Sequence, residues 1–160
     1  MEIKVFDYIS AFQYVYNHSG YSNNRDFAMI SIQEYPSEIM GMEYKTGGPL
    51  KAALNLWFSD IKDQKDENPE TYIKMIDEYD AKTIKDFVDY IKKMDIDFLI
   101  VHCHAGISRS AAVAAAISKV ETGSDEKFFN GEFVPNMKVY YAVLKAFGYD
   151  NTPLMGEESE

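Results

Sequence analysis

The run Phe98-Leu99-Ile100-Val101-His102-Cys103-His104-Ala105-Gly106-Ile107-Ser108-Arg109-Ser110, followed by AAVAAAISKVETG (111–123), decides the fold. Phe98 to Val101 are continuously apolar, the mark of a strand buried on both faces. Next comes a short loop, then an alanine-rich helix that Gly123 can terminate. Strand, loop and helix in that order form the unit of an α/β protein, in which ligands bind beyond the carboxyl end of a central strand. Upstream, residues 2–6 (EIKVF) suit a short strand, and Asp7 or Ser10 can open a helix in which Ile9, Phe12, Val15 and Tyr16 recur at helical spacing. His18–Asp26 reads as a loop and Phe27–Ile32 (FAMISI) as a buried strand. Gly41, Gly47, Gly48 and Pro49 punctuate the connection to a third apolar run, Ala52–Phe58 (AALNLWF). After the polar stretch 59–68, Pro69 sits where a helix can begin, with Ile73, Ile76, Ile84, Phe87, Val88, Ile91 and Met94 as its apolar stripe as far as Lys93. Helical segments are also expected around Asp125–Asn130 and Asn136–Phe147. The prediction is an α/β fold with a central, mainly parallel sheet of about four to five strands flanked by helices. Nothing divides the chain, so 1–160 reads as one domain with a frayed acidic tail over about 152–160.

The 160 residues are 46 % apolar and 26 % charged, ordinary values for a soluble globular protein. No apolar run is long enough to span a membrane, and MEIKVFDYIS lacks the pattern of a secretory signal. Cys103 is the single cysteine, which excludes an intrachain disulfide and favours a reducing, cytoplasmic setting. The net charge of −10 and a pI near 4.7 argue against nucleic acid or anionic membrane as partners. Lysine and arginine total 16, of which only Arg25 and Arg109 are arginine.

Cys103 to Arg109 join a strand end to a helix N-terminus, where inward-pointing N–H groups and the helix dipole can cradle an anion. Ala105 and Gly106 let the backbone curl, and Gly106 permits a positive φ. Arg109 can clamp two oxygens of a tetrahedral oxyanion with its planar fork, as lysine cannot. Cys103 would lie at the floor of this cradle, where the same field favours its thiolate as a nucleophile. The plainer alternative is a buried structural thiol.

The string HCHAGISRS resembles the H-C-x5-R-S/T signature loop of the cysteine-dependent protein phosphatases. The compact frame resembles their dual-specificity branch, in particular small microbial tyrosine-phosphatase-like proteins. Outside the loop, LWFSDI (56–61) resembles the acid-loop segment of that family and PNMKVYYAVLKAFGY (135–149) its C-terminal helix. The resemblance implies that Cys103 is the nucleophile and Arg109 the phosphate clamp. Ser110 would hydrogen-bond the sulfur and help it leave from phosphocysteine. Substrate contacts would come from His104, Ala105, Gly106, Ile107, Ser108 and Arg109, with the His104 side chain pointing outward. His102 would tune the cysteine and order the loop; a buried histidine satisfied by backbone is the simpler expectation. The implied activity is hydrolysis of phosphotyrosine, and of phosphoserine and phosphothreonine, in proteins or peptides by a monomer. Neither cofactor nor metal is expected, since three histidines and one cysteine form no metal-ligand spacing.

Departure of the leaving oxygen needs a proton, and hydrolysis of the intermediate needs a base for water; one carboxyl can serve both. Asp60, in the segment that resembles the acid loop, is the first candidate, Asp63 the second and Asp66 the third. The gap from Asp60 to Cys103 is longer than is usual in compact dual-specificity enzymes, and the acidic stretch 62–80 is expected to absorb it. A loop without lysine argues against phosphoinositide lipids, and the acidic charge against an RNA 5′-triphosphatase. Rhodanese-like sulfurtransferases and arsenate reductases need no Asp60 segment. The competing expectation from another class is a pseudophosphatase, a phosphate-binding interaction module that no longer turns over.

Overall fold

The computed structural model describes residues 1–17, 25–34 and 43–149. Four parallel strands, β1 (Glu2–Phe6), β2 (Phe27–Gln33), β3 (Leu50–Trp57) and β4 (Phe98–His102), lie in the order β1-β4-β2-β3. The α/β fold expected from the sequence is the one observed. All five residues of β4 and all seven of β2 are buried, as near-continuous apolar runs require in a sheet covered on both sides.

Helix α1 (Tyr8–Asn17) covers one face, where Ala11 and Val15 pack with Phe27, Met29, Phe98 and Ile100. Helices α2 (Glu78–Ile91), α3 (Arg109–Thr122) and α4 (Met137–Ala146) cover the other. There Ala28, Ile30, Ile32, Leu99 and Val101 join α3, whose residues from Arg109 to Ile117 are all buried. Alanine at five of the positions 111–116 keeps α3 thin enough to lie between the sheet and α4. Gly123, at φ +83°, ends it.

Three expectations need correction. On α1, Ile9, Phe12 and Tyr16 are 55, 40 and 50 % exposed, and the buried side is that of Ala11 and Val15. This helix carries apolar residues on two sides, and periodicity alone does not say which meets the sheet. Pro69 opens only one 3₁₀ turn, Pro69–Thr71; α2 starts at Glu78, behind a capping box formed by Asp77 and Asp80. Ile73 instead forms a bridge with Asn68, and Ile76 is buried ahead of the helix. The expected segment at 125–130 is likewise one 3₁₀ turn, Glu126–Phe128. The loop 18–24, Gly41 and the tail from 150 onward lie outside the described residues. Among those described, no helix is long and apolar enough to cross a membrane.

The strand order places β4 between β1 and β2, with His102 level with Phe6 on one side and Ser31 on the other. The loop leaving β4 therefore emerges at the carboxyl edge of the sheet, between two neighbouring strand ends.

Candidate active site

Side chains alternate along β4 and into the residue that follows it: His102 faces the α1 side, and Cys103 falls among the α3-side core. Cys103 is buried, its Sγ 3.1 Å from the Ser110 hydroxyl and 3.3 Å from the Gly106 amide that donates to it. Ser110 is fully buried on the first turn of α3. Both groups can donate to a thiolate, and neither does so through a protein cation.

Gly106 has φ +71°, and a Cβ there would sit 2.6 Å from the Asp7 nitrogen and 2.8 Å from the Phe6 carbonyl carbon. Backbone meets backbone at this position, so only glycine fits. The same end of β1 is tied to the loop by Tyr8 N–H donating to the His104 carbonyl at 3.2 Å. The His104 side chain is exposed, as expected, and its ring stacks on Tyr8 at 5.0 Å. Ala105 and Ile107 are exposed along the loop.

Arg109 is 5 % exposed. Its Nη1 donates to Glu34 Oε2 at 2.7 Å and to the Phe58 carbonyl at 2.8 Å, which fixes the guanidinium from the β2 and β3 ends. Among the described residues its Nε is buried without a hydrogen-bond partner. A buried donor left unmet costs roughly 1–3 kcal/mol, and an oxyanion held against this fork would relieve it. Ser108 occupies the cap position of α3, yet makes no capping bond; its hydroxyl donates instead to Asp60 Oδ1 at 2.9 Å. The amides at the start of α3 are left uncapped by that side chain, the condition for an anion site at a helix N-terminus.

Asp60 is thus brought to the loop from the end of β3. The same Oδ1 accepts from Asn136 Nδ2 at 2.8 Å, and Asn136 Nδ2 also reaches the Ile61 carbonyl at 3.1 Å. Asp63 is occupied elsewhere: it caps the 3₁₀ turn Gln64–Asp66 by accepting from Lys65 N–H and pairs with the Lys65 ammonium. Asp66 lies exposed within that turn. The stretch 62–80 folds back onto Ser59, whose amide donates to the Lys74 carbonyl while its hydroxyl accepts from Lys74 N–H. Lys74 Nζ in turn contacts Asp80 at 2.5 Å and Asp77 at 3.5 Å. Burial holds the Asp80 carboxyl above the ordinary carboxylate range, with Lys74 acting against that shift.

No sequence-family model matches this chain, and no curated protein matches it. Solved structures do. The human tyrosine phosphatase-like serine/threonine/tyrosine-interacting protein superposes with a TM-score of 0.58 at 20 % identity, over 89 % of this chain and 89 % of that one. OH1 from the Orf virus, a tyrosine phosphatase with triple substrate specificity, gives 0.55 at 14 % identity over 93 % and 84 % of the two chains. Human DUSP28 gives 0.54 at 14 % identity over 97 % and 94 %. The chain has the dual-specificity phosphatase fold.

Five residues around this site escaped the sequence reading. Glu34 had one usable signal, a carboxylate directly behind a buried strand. Ser31 and Gln33 are polar positions within that strand, and they complete a chain: Gln33 donates to Ser31 Oγ at 3.2 Å, and Ser31 Oγ lies 2.7 Å from His102 Nε2. His102 Nδ1 is 3.1 Å from the Cys103 carbonyl, which can only accept, so Nδ1 carries the proton. His102 is therefore the buried histidine satisfied in part by backbone, and it orients the peptide that bears the sulfur. Tyr44 stands edge-on to its ring at 5.5 Å, its phenol held above the ordinary value by burial and by Tyr16. Asn136 was read only as the start of a helix, and nothing in its local sequence points to Asp60.

Proposed function

We propose that this protein is a cysteine-dependent phosphomonoesterase acting on phosphotyrosine, and on phosphoserine and phosphothreonine, in proteins or peptides. The observation that carries the reading is the 2.9 Å bond from Ser108 to Asp60, which joins a carboxyl from β3 to the loop holding Cys103 and Arg109. The phosphoryl group would lie against the loop amides and the open Nε of Arg109. The Cys103 thiolate forms the S–P bond as the ester P–O bond breaks, and protonated Asp60 gives its proton to the departing oxygen. Asp60, now a carboxylate, takes a proton from the water that attacks phosphorus. The S–P bond then breaks, phosphate leaves, and Ser110, 3.1 Å from Sγ, stabilises the returning thiolate. The acidic net charge supports a peptide substrate over a nucleic acid, and Cys103 as sole cysteine supports a reducing, cytoplasmic setting.

Hydrolysis of nitrophenyl phosphate by the wild type and by Cys103→Ser tests this. The expected result is turnover that disappears in the variant, and a peptide panel then ranks the three phosphoresidues. Binding of phosphate esters without turnover by the wild type would instead establish an interaction module.

A further inference from the structure

Asn136 is fully buried, and its side chain has two separable tasks. Its Oδ1 accepts from the amides of Lys138 and Val139 and so caps α4. Its Nδ2 donates to Asp60 Oδ1 and to the Ile61 carbonyl. The backbone amide of the same residue donates to the Ser108 carbonyl at 3.1 Å. One residue thereby fixes the acid segment to the loop that holds the nucleophile. On the far side Ser59 is pinned twice to Lys74, so the Asp60 segment is held from both ends without substrate.

We propose that Asn136 is the positioning residue that presets Asp60 for proton transfer, and that it does so by confining the transferable proton to Oδ2. The inference rests on the phosphatase reading above. Two donors, Asn136 Nδ2 at 2.8 Å and Ser108 Oγ at 2.9 Å, converge on Asp60 Oδ1. An oxygen that accepts both cannot also bear the proton and remain hydrogen-bonded to them, so protonated Asp60 carries it on Oδ2. Oδ2 is then the oxygen that protonates the leaving group and later receives a proton from water. An acid held in this way needs no closing motion of its segment before it acts.

The test separates the cap from the donor. Asn136→Ser keeps a good capping oxygen and removes the donor to Asp60. Turnover of an alkyl phosphate, a poor leaving group, should fall about 100-fold, the scale of loss when a catalytic group drifts by an ångström. The nitrophenol burst from nitrophenyl phosphate, which reads P–O cleavage alone and whose leaving group needs little protonation, should change less than about threefold. Adding Asn136→Ser to Asp60→Asn should cost nothing more on the alkyl ester, because the two act as one unit. Asn136→Asp is isosteric, keeps the cap and sets a second carboxyl against Asp60; it should move the alkaline limb of the pH profile upward, since two adjacent carboxyls share a proton. Equal losses on both esters, additive losses in the double variant, or an unmoved pH profile in Asn136→Asp would overturn the assignment while leaving the phosphatase reading intact. A wild type that turns over neither ester would overturn both.

Discussion

The loop 102–110 and the acid segment 59–61 meet through one hydrogen bond, Ser108 to Asp60, yet they are built in opposite ways. The loop is local. Cys103, the Gly106 amide and Ser110 come together within one strand-to-helix turn; from outside it, the end of β1 packs on Gly106, Tyr8 N–H bonds the His104 carbonyl, and Glu34 and Phe58 hold Arg109. The acid segment makes few such bonds of its own. Asn136 from the start of α4 holds it on one side and Lys74 from the end of the 62–80 stretch on the other. On the proposed function, the phosphate cradle would thus centre on one strand-to-helix turn, whereas the placing of the acid would draw on elements from across the domain.

If that division holds, damage to the loop should abolish function outright, and damage to the segment should be selective. The largest effect is expected for Arg109→Lys, which keeps the charge but loses the fork and the contacts to Glu34 and Phe58. Turnover of every ester should fall by about 10²–10³, the range for removing one oxyanion donor. Gly106→Ala should lower the unfolding free energy by about 3 kcal/mol in urea titration, from a positive φ combined with a backbone clash. Asp60→Asn keeps Oδ1 in place as an acceptor and replaces Oδ2. It should slow P–O cleavage in an alkyl ester about 10²-fold and, read as the nitrophenol burst, in nitrophenyl phosphate far less. Asp63→Asn retains a capping residue and should leave both rates unchanged. Equal rates for the two aspartate variants would erase the distinction between the regions. A modest effect is expected for Lys74→Met, which leaves Asp80 without its cation: about 1 kcal/mol of stability, read by urea titration, for a pair whose lysine is part-exposed to solvent.

The same contrast explains what could be read from sequence. Sheet, helices and the turn of loop 102–110 were legible because each depends on contiguous residues: an apolar run, a glycine that must turn, an arginine at the end of the loop. Asp60 was legible as a candidate because it follows directly on a strand. Its rank ahead of Asp63 came from the segment that resembles the acid loop; the contacts that tie it to loop 102–110 come from Asn136 and Ser108, which no spacing rule connects to it. The start of α2 was misplaced for a related reason. Pro69 is a valid opening signal, but Asn68 and Ile73 close a bridge around it, and the capping box at Asp77 takes the helix instead. On α1, alternative apolar sides concealed which one the sheet would select. Glu34, Ser31 and Gln33 act across neighbouring strands, so their roles exist only once β2 lies beside β4.

The most direct test of the proposed function is a rapid-quench trap of the protein incubated with a phosphate ester, followed by peptide mass spectrometry. With Asp60→Asn and nitrophenyl phosphate, a phosphoryl adduct should accumulate on the peptide carrying Cys103, because loss of the base slows its hydrolysis. Release of nitrophenol in multiple turnovers with no phosphoryl group on Cys103 at any quench time would contradict it.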